Sequence, residues 1–170
     1  MKLFSRLFSR ADDPRDALRP AWHRVVEIAR EKRWYAEAGV ADTVEGRFDM
    51  MTAVLCMVLL RMEQDEALVP ASVHLTELFV EDMDGQLRER GVGDLMVGKH
   101  IGKLVSAMGG RLGAFREALA AEGNEALSAA VERNMDLLEG SDGTDAADAL
   151  RAFATELEKK APEAILAGGF

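Results

Sequence analysis

From Met50 to Leu60 every residue but Thr52 is apolar. Eleven residues reach only about half-way across a bilayer as a helix, so the run is not a membrane span. It does not alternate in the manner of a half-buried strand either. What remains is a helix covered on every side, and such a helix needs several others to cover it. The chain has 170 residues, 48% apolar and 30% charged, which suits one globular domain with a core of its own.

The flanking sequence supplies those covering helices. Pro20 suits a first helical turn, and Trp22, Val25, Val26 and Ala29 then share a face up to a stop at Gly39. Asp42-Thr43-Val44-Glu45 has the spacing of a capping box and opens the central helix, roughly 43–63. Pro70 opens a third helix with Leu75, Leu78, Phe79, Met83 and Leu87 on one stripe. Gly91 can take the left-handed stop conformation, and Asp94 can cap the helix that follows. That helix carries an apolar seam at 101, 104, 105, 108, 112, 115 and 119, and glycines at 98, 102, 109, 110 and 113. Each glycine costs about 1 kcal/mol relative to alanine, so close packing or a kink at Gly109-Gly110 is expected. Helices near 124–139 and 144–160 complete the set, with Pro162 after the last. The prediction is an all-α, single-domain bundle of about six helices over 14–170. It is preceded by a basic amphipathic segment over 1–13.

In that segment Leu-Phe-Ser-Arg occurs twice, at 3–6 and 7–10. On a helix Leu3, Phe4, Leu7 and Phe8 fall on one stripe, and Lys2, Arg6 and Arg10 provide cations. The segment lacks the continuous apolar region of a secretory signal. It suits weak contact with an anionic membrane surface or a partner, and a frayed terminus fits the composition equally well.

The net charge of −9 argues against general nucleic-acid binding, DNA included, but it conceals segregation. Residues 1–33 carry +4, 34–87 carry −9, 88–116 carry +4 and 117–170 carry −8. A cationic face is compatible with these zones, and so are ordinary solvated helix surfaces. In the second basic zone Arg88 follows Asp84 by four residues, the spacing of a helical ion pair. Lys99, Lys103, Arg111 and Arg116 have no acid at that spacing, and Arg90 has only Gln86.

Motifs for chemistry fail on inspection. Gly93 through Lys99 fits the first part of a phosphate-binding loop, yet His100 replaces the Ser or Thr and no strand precedes it. Asp82-Met83-Asp84-Gly85 begins like a calcium loop, but Leu87 and Gly93 occupy the positions that require glycine and glutamate. His23, His74 and His100 lack metal-site spacing, and neither a metal nor a cofactor is expected. Cys56, the one cysteine, lies inside the apolar run, where a thiol is inert and no internal disulfide can form.

The stretch Phe79-Val80-Glu81-Asp82-Met83-Asp84-Gly85-Gln86-Leu87-Arg88-Glu89-Arg90-Gly91-Val92-Gly93-Asp94-Leu95-Met96-Val97-Gly98-Lys99 resembles the signature of the ubiquinol–cytochrome c chaperone family. Gly39-Val40-Ala41-Asp42-Thr43 with Gly46-Arg47-Phe48-Asp49, Gly110-Arg111-Leu112 and Arg133-Asn134 agree in order. The resemblance covers roughly 34–135. It implies a non-enzymatic, α-helical assembly factor for the cytochrome bc complex, a chaperone of newly made cytochrome b at the cytoplasmic side of the membrane. Its implied partners are cytochrome b or other cytochrome bc subunits, with a small helper protein or the ribosome nearby. The candidate partner-binding residues are Arg47, Arg90, Lys99, Lys103, Arg111 and Arg116, and the candidate membrane contacts are Leu3, Phe4, Leu7 and Phe8. The rival readings are a helical small-ligand domain or enzyme, which needs a deep polar pocket, and a structural subunit, which needs a large apolar interface.

Overall fold

The computed structural model describes residues 13–170; the membrane-contact expectation for Leu3, Phe4, Leu7 and Phe8 lies outside them. A 3-10 turn at Asp16–Leu18 leads into α1 (Arg19–Ala29), then α2 (Lys32–Ala36), α3 (Val44–Glu63), α4 (Val69–Glu89) and α5 (Asp94–Ala120). α6 (Glu125–Asn134), α7 (Thr144–Glu158) and α8 (Pro162–Leu166) follow. Among the described residues six helices are ten residues or longer, and the fold is all-α.

α3 is the hub. Its apolar run is buried throughout from Thr52 to Leu60, and α1, α4, α5 and α7 pack around it. α6 joins α5 to α7 on the far side, while α4 and α5 form an antiparallel hairpin. Two helix ends are held by arginines from elsewhere. Arg61 donates to the carbonyls of Leu157 and Lys160 at the end of α7, and Arg151 donates to those of Ala118 and Leu119 at the end of α5. Each adds a donor to carbonyls in the last turn of a helix or just beyond it, where the helix's own N–H groups run out.

The helix predicted to run from Pro20 to Gly39 breaks in two. Glu31 is extended (φ −62°, ψ 135°), and the chain turns back so that the Trp34 indole donates to Ile28 O (2.7 Å). Tyr35 Oη donates to Ala29 O (2.6 Å), so two aromatic side chains satisfy the last carbonyls of α1. The helix predicted near 124–139 ends at Asn134. Residues beyond it pair with the loop before α3: Val40 and Leu137 form an antiparallel bridge, flanked by Ala41 N–H to Asp136 O and Leu138 N–H to Gly39 O. Gly39 sits at φ +74°, in the left-handed region.

Local caps differ from expectation in two places. Thr43, rather than Asp42, caps α3 by accepting from Gly46 N–H (2.9 Å), because Asp42 instead pairs with Arg47. α5 is entered from Gly93 with no side-chain cap; Asp94 is its first residue and points to Arg88. The stop of α4 is as predicted. Gly91 has φ +82°, Val92 N–H reaches Leu87 O and Gly91 N–H reaches Arg88 O, the paired bonds of a Schellman end.

The glycines of α5 do not provide the close packing expected of them. The helix runs unbroken through Gly109-Gly110, and a Cβ added at 98, 102, 109, 110 or 113 would meet nothing within 4 Å among the described residues. They admit no neighbour; they leave the backbone open.

Candidate partner-binding face

The α4–α5 hairpin extends past the core. In the first half of α5 only Val97 is buried, with Ile101 and Leu104 half-buried. Arg88 holds the tip together, donating to Asp84 (2.6 Å) on its own helix and to Asp94 at the start of the next. These pairs are exposed and contribute little singly, but they fix how α5 leaves the turn.

On the outward side Leu95 is 97% exposed; Met96, next to it in sequence, is exposed, and so is Val105 about three turns further along. Leu95, Gly98, Gly102, Val105 and Gly109 fall on one helical stripe, so the apolar side chains border uncovered backbone. Lys99 and Lys103 stand next to this stripe, one turn apart. Among the described residues Lys99, Lys103 and Arg90 make no ion pair, whereas every arginine between Arg15 and Arg24 makes one. His100 Nδ1–H donates to Met96 O (2.7 Å), which turns the ring back along its own helix.

The other candidate cations are engaged. Arg111 was expected to lack an acidic partner, and on its own helix it does. Across the core it donates to Asp49 and to Thr52 Oγ1, and its guanidinium lies 5.8 Å from the Phe48 ring centre. Asp49 Oδ2 also accepts from Asp136 N–H (2.9 Å), so one carboxylate ties α3 to α5 and to the segment after α6. Arg116 reaches Glu63 at the end of α3 (2.9 Å). Arg47 pairs with Asp42 (2.6 Å) beside the Tyr35 ring. Sequence reasoning pointed to Arg111 and Arg116 as a binding surface; the structure makes Arg111 an internal tie and Arg116 an exposed inter-helix pair. The residues that receive Arg111, Asp49 and Thr52, were missed. The signals that could have found them were the place of Asp49 in the motif Gly46-Arg47-Phe48-Asp49 and the polarity of Thr52 within the apolar run.

The remaining chemistry is that of a scaffold. Burial pushes the Cys56 thiol up to about 12, far from the thiolate a nucleophile needs. Asp13, Asp42, Asp142 and Glu156 are held below the usual carboxylate range, chiefly by hydrogen bonds from Arg15, Arg47, Thr144 and Lys159 respectively. A general acid requires the opposite shift. Two hollows stand out among the described residues, of about 530 and 640 Å³. The first lies between α1, α7 and the C-terminus, lined by Arg24, Ile28, Phe153 and Phe170; the second follows the outer side of α4. Among the described residues no buried side-chain polar atom lacks a partner and no group of acids, histidines and cysteine is arranged to hold a metal.

The described residues form a helical scaffold that exposes a partly apolar hairpin, a surface suited to contact with another protein. Residues 36–170 match the family model described as ubiquinol-cytochrome C chaperone. The chain is also similar to the crystal structure of the Cbp3 homolog from Brucella abortus, at 32% identity and a TM-score of 0.78, over 98% of this chain and 94% of that one. No curated protein gives a match. The chain belongs to the ubiquinol–cytochrome c chaperone family, which makes it a chaperone or assembly factor for the cytochrome bc complex.

Proposed function

We propose that this chaperone holds newly made cytochrome b, without catalysis, at the cytoplasmic face of the membrane, and that the outer face of the α4–α5 hairpin is the holding surface. The observation that carries this reading is that the exposed Leu95 and Met96 adjoin Lys99 and Lys103 on one helix, and among the described residues neither lysine makes an ion pair. A membrane protein leaving the ribosome presents apolar helices bounded by polar ends. Apolar side chains beside open helix backbone accept such a helix closely, as small residues do between helices in membranes. The flexible Met96 adapts to its shape, and the lysines meet acidic ends or phosphate. Arg90, at the turn, extends the same cationic edge. A small helper protein or the ribosome would meet that edge too. No helix among the described residues is long and apolar enough to cross a membrane. In this reading the stripe of Leu3, Phe4, Leu7 and Phe8 contacts the bilayer surface.

Site-specific photo-crosslinking tests it. A photoreactive residue at Leu95 should capture cytochrome b in cells assembling the complex, and one at Leu138, also half exposed but on another surface, should not. Equal capture at both sites, or capture at neither, would defeat the proposal.

A further inference from the structure

The attachments of α5 to the rest of the molecule change abruptly at one place. From Met108 onward the helix is held firmly. The Cys56 thiol donates to Met108 O (3.9 Å), Arg111 reaches Asp49 and Thr52, and Arg116 reaches Glu63. Phe115 and Ala118 are buried in the core, and Arg151 holds the carbonyls of Ala118 and Leu119.

Residues 94–107 have no such anchors among the described residues. Val97 is buried, yet it stands outside the contiguous core, and Ile101 and Leu104 are half-buried at its edge. The ion pair that ties this half to α4 is that of Asp94 with Arg88, exposed at the tip. Three apolar side chains and an exposed pair are a weak attachment for about four turns of helix. The junction between the two halves is Gly109-Gly110. Both are exposed, on the side of the helix opposite Val97, Ile101 and Leu104. Swinging the first half away from α4 makes that side concave, and a glycine pair has no side chain to resist it.

We propose that α5 bends at Gly109-Gly110 and that its first half lifts off α4 as an intact helix, a lid whose closed position the structure shows. The open position is a minor state, because it gives up the contacts of Val97, Ile101 and Leu104. It creates a cleft, with those three side chains on one wall and the α4 surface they had covered on the other. Such a cleft receives an apolar helix from both sides, whereas the closed hairpin offers only its outer face. That use rests on the hairpin being the holding surface proposed above; the opening itself does not.

Thiol labelling of the full chain without any client tests the opening alone. In a Val97→Cys protein the introduced thiol should be labelled on the order of a hundredfold faster than Cys56, which only wider unfolding exposes. Gly109→Ala with Gly110→Ala should slow labelling at 97 about tenfold, since the added methyl groups crowd only the bent form. Gly98→Ala, away from the bend, should leave it unchanged. Asp94→Ala, which frees the tip, should speed it about twofold. Amide exchange in the same protein should be slower over residues 99–106 than labelling at 97, as an intact helix requires. Labelling at 97 no faster than at Cys56 overturns the proposal, as does labelling indifferent to the change at Gly109 and Gly110. Exchange over 99–106 as fast as the labelling would mean that α5 frays, and would overturn it too. Fast labelling with no client captured at Leu95 would uphold the motion and defeat only its use.

Discussion

Arg111 and Asp49 lie 62 positions apart and meet as an ion pair whose side chains are only 13% and 12% exposed. Both belong to short motifs that carry the family resemblance, so those motifs mark a structural joint. Removing one partner strands the other charge in a dry place, and the carboxylate also serves Asp136 N–H. Asp49→Ala or Arg111→Ala should each cost about 3 kcal/mol. The double variant should cost much less than their sum. Urea melts of the four proteins measure this, and strict additivity would mean the pair contributes nothing of its own.

The lysines of the hairpin should behave in the opposite way. Lys99→Glu with Lys103→Glu changes exposed, unpaired groups and should alter stability by no more than about 0.5 kcal/mol. Assembly of the cytochrome bc complex should nonetheless fall. Melts paired with an assembly assay separate the two effects; a large loss of stability would transfer these lysines to the scaffold.

Two kinds of glycine can be told apart by alanine. A Cβ at Gly46 would overlap the Ala41 carbonyl oxygen, so Gly46→Ala should destabilise by about 3 kcal/mol. Among the described residues a Cβ at Gly98 or Gly102 meets nothing, and each alanine there should stabilise α5 by about 1 kcal/mol. If these open glycines serve the client, the more stable proteins will assemble less complex. Thermal melts and the assembly assay together give the answer.

Asp94→Ala bears on the hairpin turn. Asp94 is 86% exposed and its role is to meet Arg88, not to cap α5, so its loss should cost only about 0.5 kcal/mol. A denaturant midpoint shifted by well over 1 kcal/mol would restore the capping role.

Cys56 gives the pH dependence. Its folded pKa, pushed up to about 12 by burial, lies above that of a free thiol, near 8.5. The unfolded chain therefore releases this proton first. The stabilisation is complete below about pH 8.5 and is lost as pH rises toward 12, at no more than about 1.4 kcal/mol per pH unit. Cys56→Ala should remove that component from the alkaline decline measured for wild type. Native protein at pH 8 should also resist alkylation until denaturant is added.

The helices were legible in the sequence because their causes are local. Pro20, Pro70 and Gly91 mark boundaries by backbone preference alone, and the run from Met50 to Leu60 forces a central helix. The division at Glu31 was not legible, because Trp34 and Tyr35 terminate α1 only once the chain has folded back on it. The shortening of α6 has the same origin, in a bridge between Val40 and Leu137. The cations of 88–116 show the limit for the site. Helical spacing finds Asp84 for Arg88, but no spacing rule finds Asp49 for Arg111 or Glu63 for Arg116.

The burial of α3 sets a timetable for synthesis. Its apolar surface is sealed by α1 from the earlier part of the chain, and by α4, α5 and α7 from the later part. Translation at about 5–20 residues per second leaves the central helix without its last cover for on the order of 5–20 s, until α7 has emerged. During that interval the chain displays the kind of sticky apolar helix that its finished form is proposed to shelter. A cell that needs this chaperone must first carry it through the hazard it exists to relieve.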